Sequence, residues 1–480
     1  MGWACRRFLI RGIFSVIIKN SREKHLKWIR FLQLLFYVVF IVLWFKDNFA
    51  PLRKLPASSL FALLPFLGLT GVRFYFKLRQ GNVKIPRRIS REGAWLLLLL
   101  LLTIILRLPY LAVPSGMMTS DDAIPALMGK HIAEGKVPPV CFYGQLYMGS
   151  LSSHLYALAF RIFGYSMLVL KCATLTIYLA FIALQFIFLR AIFSFSFALA
   201  VGFFYSLPFK ELLVAGFDNT SAYPLVLLLG SLLLYIAYLI SFRARENLIP
   251  VLGFLMGTAF WTHQVTAGMI LTSFLMVAFK LKWRFRKYAP LIAYALLGFL
   301  PQLLIEVFNR FQLVAFLTEG KRVVNWTTVK AAAGLVVSLL AAGSPASRYL
   351  ILLSILAGFV YLTTVSLKKR AFLPPAAFCL FSFLFFLLYL FSYFSTKSAV
   401  RYSYPLYISL PVLLLAMSLV FKSRVRNVLP FGLVALLFIF FNMRPSLSQY
   451  ESVKDRHVRI ARDAGRGGPL LEHRPLVGGL

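Results

Sequence analysis

Acidic residues are scarce in this chain. Its 480 residues include only 15 Asp and Glu, against 52 Lys and Arg, so the formal net charge is +37. Charged residues of both signs make up 14% of the chain, while hydrophobic residues make up 60%. So little charge excludes a single water-soluble globule of this length and predicts a polytopic membrane protein. The basic residues fall in short clusters between apolar runs, which indicates membrane lipids rather than nucleic acid as partners.

Cysteine is also scarce, and its spacing carries no motif. A disulfide framework or a structural zinc site needs cysteines at recurring short spacings. The four cysteines, Cys5, Cys141, Cys172 and Cys379, are scattered. The histidines His131, His154, His263 and His457 are not spaced to place two on one helical face. We therefore expect no cofactor, and no motif indicates a divalent metal.

The apolar runs predict an all-α fold with about thirteen transmembrane helices, since about twenty apolar residues cross a bilayer as a helix. The runs lie near residues 29–45, 58–76, 93–113, 166–189, 191–209, 222–241, 249–262, 265–279, 288–308, 349–367, 371–394, 403–421 and 428–443. The two short runs on either side of His263 are also compatible with a re-entrant hairpin, which would leave the sidedness of later loops unchanged.

Basic loops set the predicted orientation. Lys and Arg cluster after the second run and then at alternate later turns, which makes those loops and the N-terminus cytoplasmic. The same assignment places most acids, including Asp121, Asp122 and Asp218, on the opposite face. We expect a multi-pass protein, most simply of a bacterial inner membrane, with any active site on the periplasmic or outer face.

Three regions follow from these runs. Residues 1–92 form an N-terminal cytoplasmic segment with a two-helix membrane preface, 93–443 a transmembrane core, and 444–480 a short outer tail. The first large outer loop, 114–165, predicts two amphipathic helices along the membrane surface. The first helix is capped by Ser120 and ends at Gly135, and the second covers residues 146–163.

The acidic pair Asp121 and Asp122 stands in the first turn of that predicted surface helix. Carboxylates there favour the helix dipole by about 0.3–1 kcal/mol, which explains one acid better than two adjacent ones. A catalytic role and a capping role both stay open for the pair. Asp218 begins a later outer turn, where it is either a second acid of the same site or an ordinary N-cap.

Two cations, Lys397 and Arg401, stand between two late runs on the same outer face. Cations at a helix end often extend to lipid headgroups, but the positive-inside bias makes a pair on the outer face less expected. A guanidinium fork suits a phosphate. Carboxylate and cation together provide the groups needed to move a sugar from a lipid phosphate to a hydroxyl, because one group takes the acceptor's proton and the other holds the departing phosphate.

These residues carry a resemblance to a known family. Residues 106–164, with the element Asp121-Asp122-Ala123, look like the first outer loop of the C-type integral-membrane glycosyltransferases. The chain is similar in particular to the protein mannosyltransferase and aminoarabinose transferase superfamily, or glycosyltransferase family 39. The stretch 253–259 and the element Arg401-Tyr402-Ser403-Tyr404-Pro405 support the resemblance, which covers about residues 93–443.

The resemblance implies an enzyme that transfers a sugar, with inversion, from a polyprenyl-phosphate donor to a lipid, glycan or protein acceptor. It implies that Asp121 is the catalytic base, Asp122 assists it and Asp218 is a second acid. Arg401 would contact the donor phosphate, with Lys397, Tyr402 and Tyr143 as further substrate-binding residues.

Two other classes stay open from the sequence. A multi-spanning transporter or lipid flippase would place its ionisable residues near the middle of the bilayer. A polymerase or ligase of lipid-linked glycans would rely on Arg and His of the outer loops rather than on an early acidic pair.

Overall fold

The structure, a computed structural model, describes residues 90–218, 222–282, 284–308, 345–368, 374–390, 400–416, 450–456 and 458–460, with isolated residues between 32 and 39 and between 326 and 339. The elements below belong to the second of two compact units, Met1–Ile89 and Ser90–Leu480. The predicted spans 58–76 and 428–443, and most of 29–45, lie outside the described residues.

The described residues are mostly helical. In chain order the α-helices are α1 Arg91–Ile105, α2 Leu108–Leu111, α3 Ser120–Ala133, α4 Leu151–Phe163, α5 Met167–Ile192, α6 Phe195–Ser206, α7 Lys210–Phe217, α8 Tyr223–Phe242, α9 Ile249–Thr262, α10 Ala267–Leu281, α11 Tyr288–Phe308, α12 Pro345–Lys368, α13 Ala376–Leu390 and α14 Leu410–Ala416. A two-stranded antiparallel hairpin, β1 Cys141–Phe142 and β2 Gln145–Gly149, lies between α3 and α4. A 3₁₀ segment, Val400–Ile408, precedes α14.

Several of these helices are long and apolar enough to cross a membrane, so the protein is membrane-embedded. Within the described residues four qualify: Met167–Ile192, Tyr223–Phe242, Gln264–Leu281 and Phe285–Val307. Tyr223–Phe242 is the most enclosed of these four by protein, and Phe285–Val307 the least. The prediction of an all-helical membrane fold is confirmed at this level, and α9 and α11 have the predicted bounds.

A fifth candidate span is broken. The helices Phe195–Ser206 and Glu211–Phe217 meet at an angle of 89°. The break contains Pro208, which has no N–H to continue a helix and disfavours helical backbone at the residue before it. The predicted run 191–209 therefore ends at Ser206, and the short helix α7 that follows it carries the chain to Asp218.

A buried arginine interrupts the predicted run 93–113. Arg107 is fully enclosed, and its guanidinium donates to the backbone carbonyls of Ser206 at 2.7 Å and Thr103 at 3.3 Å. It also lies 5.0 Å from the centroid of the Tyr178 ring. A cation is favourable at the carbonyl end of a helix, so Arg107 joins the end of α1 to the end of α6.

The loop 114–165, which the sequence predicts to be an outer one, forms the two predicted helices, with corrections at their starts. Thr119, rather than Ser120, is the N-cap of α3, and Gly135 follows the helix with a φ of +83°, as expected for its end. The second helix begins at Leu151, not at residue 146, because residues 145–149 form strand β2. Gly144 supplies the positive φ that the hairpin turn requires.

The hairpin packs on the end of α9. The indole nitrogen of Trp261 donates to the carbonyl of Val140 at 3.1 Å, and Met148 forms a β-bridge with His263. A Cβ on Gly149 would lie 2.6 Å from Trp261, so only glycine fits there. These contacts hold this loop against the membrane helices. In the predicted tail 444–480, Tyr450 packs edge-on against Tyr110 with the ring centroids 5.5 Å apart.

Glycines allow α9 and α11 to pack backbone to backbone. A Cβ on Gly253 would lie 2.2 Å from the carbonyl oxygen of Leu291, and one on Gly257 would lie 2.0 Å from that of Ala295. In the other direction, a Cβ on Gly298 would lie 2.1 Å from the carbonyl oxygen of Phe254. The spacing Gly253-x-x-x-Gly257 is the small-residue pattern that brings membrane helices together.

We expect Gly257→Val to separate these helices and destabilise the protein by about 1–3 kcal/mol, because the added methyl groups have no space. Thermal unfolding of the purified protein in detergent measures the loss. Val251→Leu on the exposed side of α9 is the matched control and should leave the midpoint unchanged. An unaltered midpoint for Gly257→Val would contradict the packing described here.

Candidate active site

An ion pair joins two distant parts of the chain at the candidate site. Arg401, in the 3₁₀ segment, donates from its Nη1 atom to Oδ2 of Asp121 in the first turn of α3, 280 residues earlier in sequence. The side chains are 36% and 39% exposed, respectively, so both groups are accessible to a ligand. The structure thus brings together the predicted base and the predicted phosphate contact.

The Arg401 guanidinium also contacts an aromatic ring. Its carbon lies 5.4 Å from the centroid of the neighbouring Tyr402 ring, which is buried. Partial burial lowers the pKa of Arg401, but the hydrogen bond to Asp121 outweighs it, and the net pKa is raised above the usual value. The guanidinium therefore stays charged at any working pH.

The predicted helical span 403–421 is wrong at its start, because residues 400–408 form 3₁₀ turns instead of an α-helix. These turns place Arg401 beside Asp121.

Asp122 points away from Asp121, into the protein. It is fully buried, and its Oδ2 atom accepts from the Thr119 backbone N–H at 2.9 Å and from the Thr119 hydroxyl at 2.8 Å. The Thr119 hydroxyl accepts in turn from the Asp122 N–H at 3.3 Å. This reciprocal arrangement is a capping box. The two adjacent acids therefore have different environments, one facing solvent and one closing the helix end.

Asp218 and Lys171 form a buried ion pair beside Asp122. The Nζ atom of Lys171 lies 2.8 Å from Oδ1 of Asp218, and both side chains are almost wholly enclosed. The Asp122 carboxyl group lies beside that of Asp218 and interacts with it. Burial raises the pKa of Asp218 to about 7; the Asp122 carboxyl adds to this rise and Lys171 opposes it.

The buried groups carry charges of both signs. Ionisable groups away from water are least costly when their charges are compensated, and the Lys171 ammonium group offsets the cost of burying the two carboxyl groups beside it. We call Asp122, Asp218 and Lys171 the buried cluster.

Asp218 is the C-cap of α7 and not the N-cap of α8, so the prediction that this residue is an ordinary N-cap is wrong.

Lys171 is not among the residues predicted from the sequence. The sequence feature that could have indicated it is its position as the fifth residue of the apolar helix Met167–Ile192, where a buried cation needs a partner. The sequence separation of 47 residues between Lys171 and Asp218 hides the pairing. Only the packing of α7 against α5 brings the two together.

Aromatic side chains pack around the 3₁₀ segment that carries Arg401. The Tyr404 hydroxyl donates to Oε2 of Glu211 at 2.8 Å, and its ring lies 5.2 Å from that of Tyr223. The Tyr223 ring lies 5.8 Å from His263. This layer supports the 3₁₀ segment that carries Arg401. Glu211 and Tyr404 are therefore additional residues close to the site.

Tyr143, a predicted site residue, is not part of this arrangement. Tyr143 stands in the hairpin turn, where its hydroxyl lies 3.1 Å from Nδ1 of His131. His131 is ten residues after Asp121 on α3, about 15 Å along the helix axis. Tyr143 thus lies near the other end of α3 from Asp121. Lys397 lies outside the described residues.

The accessible part of the site combines one carboxylate with one guanidinium. This pair can accept a proton and bind an anion, the two functions that transfer from a phosphate ester requires. Within the part of the chain that the structure describes, no group of three or more His, Cys, Asp or Glu side chains is placed to hold a metal ion.

Comparison of the chain with protein-family models, with curated proteins and with solved structures finds no match. Its membership of the glycosyltransferase superfamily therefore stays a prediction from the sequence.

Proposed function

We propose that the protein is a membrane glycosyltransferase that moves a sugar from a polyprenyl phosphate to an acceptor hydroxyl. The observation that carries this proposal is the accessible ion pair of Asp121 and Arg401. The buried cluster begins at the next residue, Asp122. The order of motifs that resembles the C-type, family 39-like transferases supports the same reaction.

In the proposed first step the donor phosphate binds Arg401. The donor phosphodiester has two charged oxygens that match the guanidinium fork, so it competes with the Asp121 carboxylate for Arg401 and takes its place. Asp121 is then released from Arg401, and its carboxylate is free to accept a proton. Donor binding therefore prepares the base for the acceptor.

In the proposed second step Asp121 takes the acceptor's proton. The acceptor oxygen forms a bond to the anomeric carbon from the face opposite the phosphate. The bond between that carbon and the phosphate oxygen breaks, and its electron pair stays on the phosphate, which Arg401 holds. The products are an inverted glycoside and a polyprenyl phosphate. No general acid is needed, because the leaving group is stable as an anion.

In this mechanism Asp122 and Asp218 have a structural role and do not react. Asp122 is occupied by Thr119 and by Asp218, and Asp218 is occupied by Lys171. A carboxyl group so enclosed is poorly placed to reach an acceptor. The proposal differs here from the family pattern, in which Asp122 assists the base and Asp218 is an acid of the site.

The proposal includes the wider arrangement expected from the sequence. About thirteen transmembrane helices place the pair on the periplasmic or outer face of a bacterial inner membrane, with the N-terminus cytoplasmic. Residues 1–92 are the membrane preface, 93–443 the transferase core and 444–480 the outer tail. The partners are the lipid-linked donor, membrane lipids and an acceptor that is a lipid, a glycan or a protein.

One observation favours a transporter or lipid flippase instead. Lys171 and Asp218 form a buried ion pair at the end of a candidate span, and such pairs often mark ion pathways. A transporter would move its lipid or sugar intact across vesicles, whereas a transferase would release free polyprenyl phosphate. The products formed by purified protein in vesicles distinguish the two.

We expect Asp121→Asn to lower the rate of sugar transfer by about 10²–10⁴-fold, because the amide cannot accept the proton. Release of polyprenyl phosphate from a radiolabelled polyprenyl-phosphate sugar measures the rate. Glu134→Gln removes an exposed acid at the other end of α3 and is the matched control, with an expected rate close to that of the unmodified protein. Transfer by Asp121→Asn at the unmodified rate would remove Asp121 from the mechanism.

We expect Arg401→Lys to weaken donor binding by about 10- to 100-fold, since an ammonium group keeps the charge but loses the guanidinium fork. The apparent KM for the lipid donor is the measurement. Arg243→Lys changes another arginine that lies over a tyrosine ring, 5.8 Å from Tyr238, and should leave KM unchanged. The phosphate role of Arg401 fails if both variants show the same donor KM.

A further inference from the structure

Lys171 provides the cation of the buried cluster. It is fully enclosed, and its Nζ atom donates to Oδ1 of Asp218 at 2.8 Å. The ring of Phe217 lies 5.7 Å from the same nitrogen and closes the cluster on another side. Because α5 is one of the long apolar spans, Lys171 stands on a rigid element of the fold.

Asp218 transmits this contact to α3. It ends α7, and its carboxyl group interacts with that of Asp122 while it also accepts from Lys171. Lys171 thereby places a positive charge next to the two carboxyl groups and holds Asp218 against Asp122. Asp122 in turn accepts two hydrogen bonds from Thr119, which close the capping box.

The capping box determines where α3 begins, and so where Asp121 lies. Asp121 is the residue before Asp122, and its carboxylate meets Arg401 on the accessible side. Lys171 does not contact Arg401 in this chain of bonds. It can affect Asp121 only through Asp218, Asp122 and Thr119.

We propose that Lys171 is a positioning residue, which through Asp218 and Asp122 fixes the first turn of α3 and thereby holds Asp121 opposite Arg401. The inference rests on the proposed function only where it concerns the rate of sugar transfer. The positioning itself is a property of the fold.

Hydrogen–deuterium exchange of the full chain in lipid nanodiscs tests the positioning without any substrate. The peptide covering residues 119–126 contains the amides of Asp122 and Ala123, which are bonded to Thr119. We expect Lys171→Met and Lys171→Gln to speed exchange of these amides by about tenfold, because Asp218 loses the partner that holds it against Asp122 and the capping box is weakened.

Two further variants sharpen the test. Arg190→Met removes a cation from the same helix, about 28 Å away, where its pair with Glu92 is exposed, and should leave the exchange unchanged. Asp218→Asn retains an acceptor for Lys171 and a donor for Asp122, so we expect exchange within about threefold of the unmodified protein. These outcomes separate the bonding through residue 218 from a general effect of altering α5.

Three results would overturn the inference. Exchange of the 119–126 peptide that is unchanged in Lys171→Met and Lys171→Gln would show that the cation does not hold α3. Exchange in Asp218→Asn as fast as in the Lys171 variants would exclude a connection that runs through side-chain bonding at residue 218. Failure of both Lys171 variants to fold would assign Lys171 to the stability of the whole protein rather than to the position of α3.

A kinetic measurement extends the test to the proposed reaction. Lys171→Gln should lower kcat for transfer by about tenfold without raising the donor KM, because Arg401 itself is unaltered and Asp121 is held less firmly opposite it. An equal rise in donor KM would contradict a role limited to Asp121. If no transfer is found for the unmodified protein, the proposed function fails, while the exchange result still decides the role of Lys171.

Discussion

The requirement that buried charges balance determines how the loop 114–165 meets the membrane helices. Asp122 and Asp218 are both removed from water, and the ammonium group of Lys171 beside them offsets the cost of burying two carboxyl groups. These three residues come from α3, from the end of α7 and from α5. The cluster therefore joins α3 to one long candidate span and to the end of a broken one.

The division of labour between two adjacent acids follows from this constraint. Residues 121 and 122 project from successive positions of a helix, so they cannot face the same way. Because Asp122 points into the interior, Asp121 lies on the accessible side, where it forms the ion pair with Arg401. The doubled acid is explained by these two environments, and the proposed reaction needs only the accessible one.

Local features of the chain predict much of the fold. The bounds of α9 and α11 follow from apolar run length, and the end of α3 from Gly135. The partners Asp121 and Arg401 could be named from composition and sidedness, because charge is rare on the outer face. Lys171 could not be paired with Asp218, since the bend after Ser206 that brings α7 back to α5 is a tertiary feature. The hairpin 141–149 is missed for a related reason: its strands are stabilised by Trp261 and His263, far away in sequence.

The account depends most on the claim that Arg401 is a phosphate site which Asp121 occupies until the donor arrives. Calorimetric titration of polyprenyl phosphate into the purified protein, with and without Asp121→Asn, measures this competition directly. If Asp121 competes with phosphate for the guanidinium, removing its charge should tighten binding by about tenfold. Equal or weaker binding of polyprenyl phosphate by Asp121→Asn would contradict the account.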